Sequence, residues 1–283
     1  MISLDPAELS IPERHHYLLG GVGPRPIAFA STIDSHNRPN LAPFSFFNVF
    51  SSNPPVLIFS PARSGRTGQT KNTLDNVKEV NEVVINVVTY DMVHQMSLAS
   101  SPYEKGVNEF EKAGFTPIKS NKIKPFRVAE SPIQFECKVL EIKELGQKGG
   151  AGNLIICEVV QIHINEDIIN KEGRIDQTKI DLVSRMGGNW YCRANGDALF
   201  EIDKPITTIG IGVDSLPNKI RLSHELSGND LGKLGNMLEL PSSDVIEKEI
   251  NSMNDVEMTL SNAKNLLNSY ELLKAYAILS KVL

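Results

Sequence analysis

Three cysteines in 283 residues, Cys137, Cys157 and Cys192, are odd in number and widely separated, with neither the paired spacing of a zinc site nor a CxxC redox motif. A disulfide framework is thereby excluded, and a reducing cytoplasm is the expected compartment. Cys137 and Cys157 sit inside strand-like runs and read as inert core thiols. Positive charge is not in excess either. Lys and Arg number 29 against 34 Asp and Glu, scattered along the chain, for a formal net charge of -5, and no basic face announces nucleic acid. No apolar run approaches the roughly 20 residues of a membrane helix. The N-terminus carries Asp5 and Glu8 among its apolar residues and does not read as a secretory signal.

Several familiar chemistries are missing too. Gly20-Gly21-Val22-Gly23-Pro24 is glycine-rich, but Pro24 and Pro26 exclude a dinucleotide turn running into a helix. His15, His16, His36, His94 and His224 form no spaced ligand set with carboxylates, so no metal is expected. Neither a serine elbow nor a Cys-His pair can be argued from spacing. Internal repeats and low-complexity tracts are absent.

What is present is concentrated between Pro24 and Pro55. Arg25 is held between two prolines, Ile27–Ala30 is an apolar run ending in Ser31 and Thr32, and Asn40–Asn48 interleaves Phe44, Phe46 and Phe47 with Ser45 and Asn48. Small hydroxyls, a carboxamide, aromatic faces and a cation brought together by apolar strands suit a flat, polar-edged, phosphate-tailed ligand, of which flavin mononucleotide is one.

Pattern reading gives strands at Ile27–Ile33, Val56–Ser60 and Val83–Val88. A short helix over Thr73–Val80, with Thr73 able to cap its first turn, bridges the last two. Asp91–Ala99 and Val107–Ala113 read as helices, the second ended by Gly114 as a C-cap. Ile133–Ile142 and Leu154–Ile164 are long strands joined by a glycine-rich hairpin tip. Strands outnumber short helices and no βαβ rhythm appears, so the fold class is mainly β with helices, a barrel decorated by helices. The style changes near Pro205, giving a core domain of residues 1–205 and an extension of 206–283. Thr207–Val213 is expected as one last strand. From Asp244 the pattern is helical, with a capping box at Asp244 and Glu247 and an apolar side along Leu260, Ala263, Leu267, Tyr270 and Leu273. That side is expected to pack on the barrel or on a second subunit.

The ordered segments Pro24–Thr32, Asn40–Pro55, Leu57–Pro61, Lys71–Val77, Val83–Val88, Val159–Ile164 and Asp181–Tyr191 resemble the flavin reductase-like, FMN-binding split-barrel family, including flavoredoxin-type proteins. The likeness runs from about Leu18 to Tyr191 and does not cover the extension. It implies an FMN-binding split β-barrel, a homodimer, and electron transfer from NAD(P)H through FMN with no side chain needed as acid or base. Two other classes stay open: an electron-carrier flavoprotein acting with a redox protein partner, and a non-catalytic flavin-binding module.

Residue by residue, the resemblance sets Ala30, Ser31 and Thr32 against the ring or ribityl chain, although Ser31 and Thr32 alone could simply end a strand. It sets Phe44, Ser45, Phe46 and Asn48 along the ring, with at least two of Phe44, Phe46, Phe47 and Phe50 being plain core. Arg25 holds an anion or makes a structural salt bridge. Lys71, Asn72 and Thr73 stand at a helix start that favours phosphate, with Asn72 where similar proteins often have Asp. Arg63 and Arg66 reach the same group or belong to a solvated loop. His163 is either an ordinary strand residue or a neighbour of the substrate side of the flavin. Arg185, Gly187, Gly188 and Tyr191 belong to a loop that approaches the flavin in similar dimers, Arg185 toward the cofactor and Tyr191 toward the substrate.

Overall fold

A computed structural model describes residues 1–202, 207–253 and 257–283. The chain divides into two compact units, Met1–Phe200 and Glu201–Leu283. The expected boundary at 205/206 falls within residues 203–206, outside the described residues. Among the described residues no helix is long and apolar enough to cross a membrane.

The first unit begins with α1 (Ile11–Gly21), followed by β1 (Ala28–Ile33), β2 (Pro39–Phe44), β3 (Phe47–Ser52), β4 (Pro55–Phe59), α2 (Asn72–Glu79) and β5 (Glu82–Asn86). Next come α3 (Val93–Leu98), α4 (Glu109–Ala113), the short pair β6 (Pro117–Ile118) and β7 (Arg127–Val128), then β8 (Ile133–Glu144) and β9 (Asn153–Ile164). The hairpin β10 (Leu182–Arg185) and β11 (Tyr191–Ala194) closes the unit. Seven strands form one antiparallel sheet in the order β2-β1-β5-β8-β9-β4-β3.

That order dictates the closure. β2 and β3 lie at opposite edges of the sheet, yet only Ser45 and Phe46 separate them in sequence. The sheet must therefore curl until its edges meet at this turn. β2 and β3 share no ladder, so the result is a barrel split along one seam. Phe44 and Phe59 fasten the seam with ring centroids 5.6 Å apart, and Ser60 N donates to Phe46 O at 2.9 Å.

Alternation along the strands decides what fills the barrel. Ala28, Ala30, Phe59, Ile85, Cys137, Ile155 and Cys157 point inward, where Leu74 and Val77 of α2 join them. Phe29 and Leu41 point outward and are covered by Met92, Met96, Phe110 and Phe115. Both faces of β1 are covered, which is why all its residues are buried. α4 is capped by Asn108, whose side chain accepts from Phe110 N, and ends at Gly114 with φ 72°, a left-handed conformation that glycine adopts without strain.

Two expectations in this unit are corrected or extended. Thr73 does not cap α2: the N-cap is Lys71, which makes no side-chain capping bond, and Thr73 lies inside the first turn. The unforeseen α1 carries its own signature, a capping box in which Ser10 accepts from Glu13 N and Glu13 reaches back to Ser10 N. α1 buries none of its residues, so no apolar stripe revealed it.

The second unit contains α5 (Asn218–Arg221), α6 (Gly228–Gly235), α7 (Ser243–Ser252), α8 (Leu260–Asn268) and α9 (Leu272–Val282). Its described residues include no strand, so the strand expected over Thr207–Val213 is not formed. Instead the chain follows the end of α6, with Ile211 N donating to Met237 O at 2.8 Å and Gly212 N to Gly235 O at 2.9 Å. A β-carbon on Gly210 would fall 2.5 Å from Gly235 O, which restricts this approach to glycine. The capping box at Asp244 and Glu247 is also corrected: Ser242 is the cap, accepting from Val245 N. The apolar side running from Leu260 through Tyr270 is interrupted where Tyr270 turns left-handed at φ 59°, separating α8 from α9. Those helices bury Leu216, Ile220, Leu234, Leu267 and Ile278 in a core of their own.

Candidate functional site

Arg25 precedes β1 and is only 6% exposed. Its Nε donates to Ser45 Oγ at 3.5 Å, Nη1 to Leu19 O at 2.6 Å and to Val22 O, and Nη2 to Met186 O at 2.8 Å. Its backbone pairs with Arg185 in both directions at 2.9 Å. Burial, then the neighbouring Arg185 charge, lowers its pKa, yet a guanidinium stays charged in a protein. Leu19 and Val22 lie at the C-terminal end of α1, where the helix dipole favours a cation. Arg25 is thus a clamp joining α1, the seam turn and the β10–β11 hairpin. The expectation that it holds an anion is corrected, because its donors are engaged by protein oxygens.

Ala30, Ser31 and Thr32 are fully buried. Ala30 pairs with Ala42 on one side and Ile85 on the other, and Ser31 with Leu41 and Val84, so their backbone groups belong to ladders. Thr32 Oγ1 accepts from Asn40 Nδ2 at 3.4 Å and Asn76 Nδ2 at 3.2 Å, while Asn40 Nδ2 also donates to Thr73 Oγ1 at 3.0 Å. These four side chains form a buried polar plug between the β1–β2 hairpin and α2. The Thr32 and Thr73 hydroxyls are thus engaged within the plug, whereas Ser31 Oγ is buried without a hydrogen-bond partner. The plug sets where α2 starts, and with it the placement of Lys71 and Asn72.

The accessible candidates lie at the seam and at that helix start. Phe44 packs against Phe59 as core, Ser45 is half-buried, and Phe46 is 36% exposed. Asn48 is exposed, with Oδ1 accepting from Val49 N at 2.8 Å and its amide donors left over. Lys71 is exposed and Asn72 half-buried. The N–H groups of Asn72 and Thr73, at the first helical positions, have no intrahelical acceptor.

One loop joins seam to helix start. It leaves β4 at Ser60 and is anchored by Arg63, whose Nη2 donates to Glu144 Oε2 at 2.9 Å and Gln147 Oε1 at 3.1 Å and whose backbone N donates to Ala151 O at 2.9 Å. Arg63 is consequently structural, whereas Arg66 is exposed. Lys78, Arg63 and Gln147 together draw the Glu144 carboxyl down from 4.5 to about 2. A depressed carboxylate contributes stability that is complete above its unfolded pKa and is lost as pH falls through the folded one. The wild-type urea midpoint should therefore fall between pH 4.5 and about 2, and Glu144→Gln should flatten that part of the profile. An unchanged profile in the variant would remove Glu144 as its source.

His163 is placed elsewhere. Its Nε2 lies 2.7 Å from Glu136 Oε1, and the buried Glu136 also accepts from Asn121 N and Lys122 N at 2.7 Å each. Burial pushes the Glu136 carboxyl up, but those bonds and the His163 contact outweigh it and leave it below its ordinary value. Glu136, on β8, ties the Asn121–Lys122 segment to the sheet and holds the ring of His163 on the neighbouring β9, the ordinary strand role that was one of the two expected for it. Arg185 and Tyr191 form a directly opposed pair in the β10–β11 hairpin, the guanidinium 4.5 Å from the ring centroid. Arg185 Nη2 also donates to Gly188 O at 2.8 Å. The structure thus joins Arg185 and Tyr191 to Arg25 and Ser45, and separates His163 from them in role. Among the described residues no cluster of His, Cys, Asp and Glu could hold a metal.

The family match and the solved structures that share this split antiparallel barrel place the chain among flavin-related oxidoreductases. Residues 21–179 match the flavin reductase like domain, and the chain belongs to that family. It is 36% identical over 206 residues to an uncharacterized protein of Halalkalibacterium halodurans, covering 72% of this chain and 97% of the relative. Among solved structures, nitrilotriacetate monooxygenase component B from Bacillus cereus is similar with a TM-score of 0.66 and 31% identity, over 71% of this chain and 98% of that one. The 2-nitrobenzoate 2-nitroreductase NbaA of Pseudomonas fluorescens gives a TM-score of 0.64 at 26% identity, over 74% and 100%. The family likeness carried by the ordered motifs is therefore correct, and the matched segment ends before the helical second unit.

Proposed function

We propose that residues 1–205 bind FMN between the seam turn and the start of α2, and that the protein passes electrons from NAD(P)H through it as a cytoplasmic homodimer. The observation that carries this reading is that one loop, beginning at Ser60 beside Phe46 and ending at Lys71, joins an accessible aromatic turn to an uncapped helix start beside an accessible cation. When bound, FMN supplies the redox chemistry, so the protein's part is position and electrostatics.

The donor set fits such a group. Lys71 and the N–H groups of Asn72 and Thr73 hold the phosphate, with Arg66 of the adjoining loop as a further cation. Asn72 offers hydrogen bonds there without the charge of an Asp. Ser45 Oγ accepts from Arg25, leaving its hydroxyl proton to donate to the ring edge. The Asn48 amide donates beside it, and Phe46 provides an apolar face. Dimerisation is supported by β3, a sheet-edge strand exposing Val49 (64%) and Phe50 (63%) at a bulge. An exposed apolar edge calls for a cover, and a second copy supplies one.

An absorbance spectrum of the purified protein, followed by anaerobic addition of NADH and NADPH in turn, tests the reading. A flavin spectrum bleached by one nucleotide is the expected result. Bleaching by dithionite alone would assign a carrier acting with a redox protein. A colourless protein that gains no flavin absorbance with added FMN would overturn the cofactor assignment. Lys71→Ala should weaken FMN binding about fivefold, the effect of roughly 1 kcal/mol from an exposed cation at a helix start. Its melting temperature should not move. Unchanged FMN affinity in a titration would remove Lys71 from the phosphate site.

A further inference from the structure

The glycine-rich turn between β8 and β9, residues 145–152, supplies no ligand group to the site proposed above, yet it grips the loop that runs from Ser60 to Lys71. Arg63 and this turn exchange backbone bonds in both directions, Arg63 N donating to Ala151 O at 2.9 Å and Gly150 N to Arg63 O at 3.1 Å. Beyond that pair the loop closes on itself. Gly68 N donates to Ser64 O at 2.8 Å and Ser64 N to Gln69 O at 2.9 Å, and the closed turn presents Arg66 to solvent. We propose that the β8–β9 turn is a positioning element for the phosphate site, with Gly149 as its decisive residue. It sets where Arg66 stands relative to the start of α2, and thereby how strongly the protein prefers a phosphorylated flavin to the same ring without phosphate. That preference rests on the function proposed above, whereas the contact between turn and loop does not.

Three observations carry the assignment. First, a β-carbon on Gly149 would fall 2.9 Å from Gly65 O and 2.9 Å from Ser64 O. Both are backbone atoms and cannot swing aside, so any side chain at this position drives the loop outward. Gly149 is not among the positive-φ glycines, so the close approach of the loop, and not backbone conformation, is what demands glycine here. Second, the base of the loop is fixed by the same hairpin. Asn153 is fully buried, its N donating to Ser60 Oγ at 2.9 Å and its Nδ2 to Pro61 O at 2.7 Å. Third, Glu144 at the end of β8 accepts from Arg63 Nη2 at 2.9 Å and from Lys78 Nζ, in the last turn of α2, at 2.5 Å. Loop and helix therefore take their spacing from one carboxylate.

A phosphate held between Arg66 and the α2 start would feel any outward shift of the loop, because charge-assisted hydrogen bonds are short and directional. A ring at the seam would not, since Ser45 is held there by Arg25.

FMN and riboflavin share ring and ribityl chain and differ by the phosphate, so each is titrated into the protein and followed by its own fluorescence. Gly149→Ala should raise the Kd for FMN about fivefold and leave that for riboflavin and the melting temperature unchanged. Gly146→Ala is the control in the same turn. Its β-carbon would meet Ala151 Cβ at 3.4 Å and no backbone atom within 4 Å, so both affinities should stay at wild type. In the flavin-free protein, trypsin should cut after Arg66 about tenfold faster in Gly149→Ala, since cleavage requires the loop to open. Gln147 is exposed and accepts from Arg63 Nη2 at 3.1 Å. Gln147→Ala should shift FMN affinity in the same direction by about twofold, which keeps the proposal open to refutation if Gly149→Ala does not fold. Equal losses of FMN and riboflavin, or an unchanged ratio of the two affinities, would overturn the positioning role. A wild-type protein that binds neither flavin would overturn the function proposed above. Faster cleavage after Arg66 in Gly149→Ala would then still support the contact, and unchanged cleavage would overturn it, so the two failures are distinguishable.

Discussion

Arg25→Ala is expected to destabilise the first unit by about 2–4 kcal/mol, the range for losing several buried hydrogen bonds to a charged group. The substitution leaves the carbonyls of Leu19, Val22 and Met186 without their donor and unfastens α1 from the hairpin. Urea unfolding followed by Trp190 fluorescence reads the loss at the hairpin itself. Arg25→Lys should recover less than half of it. An ammonium is a compact charge and cannot span carbonyls on three segments as a planar fork does. If Arg25→Ala kept wild-type stability and lost only FMN, the anion-binding role rejected here would be restored.

Phe59→Ala should cost about 3–5 kcal/mol, as large aromatic truncations in closed cores do. Phe59 is fully buried on β4 and meets Phe44 across the seam. Its removal both empties the barrel and loosens the edge-to-edge closure, so FMN affinity should fall along with the urea midpoint. Phe46→Ala is the contrast: Phe46 belongs to the same turn but is partly exposed, and its loss should weaken flavin binding with little change in stability. A Phe59→Ala protein unfolding within about 1 kcal/mol of wild type would mean that the seam is held by something other than this aromatic pair.

The elements foreseen correctly are those whose signal is local. Val83–Val88 is dense in β-branched residues and overlaps β5, which runs from Glu82 to Asn86. Gly114 stops α4 because glycine accepts the left-handed turn there. The long β8 and β9 flank a glycine-rich tip that could only be a connection. β3 carries no such signal, because Asn48, Val49, Phe50 and Ser52 are all exposed and the usual contrast between faces is missing. Thr207–Val213 misled in the other direction: it has a strand's composition, but its backbone groups bond to the end of α6.

The candidate site divided in the same way. Ser45 and Phe46 form the turn at the seam, Asn48 lies in β3 beside it, and Lys71 is the N-cap of α2. Arg25, Thr32, Thr73 and His163 are polar residues whose partners, Met186, Asn40, Asn76 and Glu136, no local pattern assigns to them. The sequence by itself determined β5, the long β8 and β9, the glycine turns and the family, since torsional preference and hydrophobic alternation act over a few residues. Only the tertiary structure decided which polar groups stay available for a ligand. Arg25 meets a carbonyl 161 residues away, and that pairing exists because barrel closure and the docking of α1 and the hairpin put both groups in one water-poor place, where a buried donor must find an acceptor.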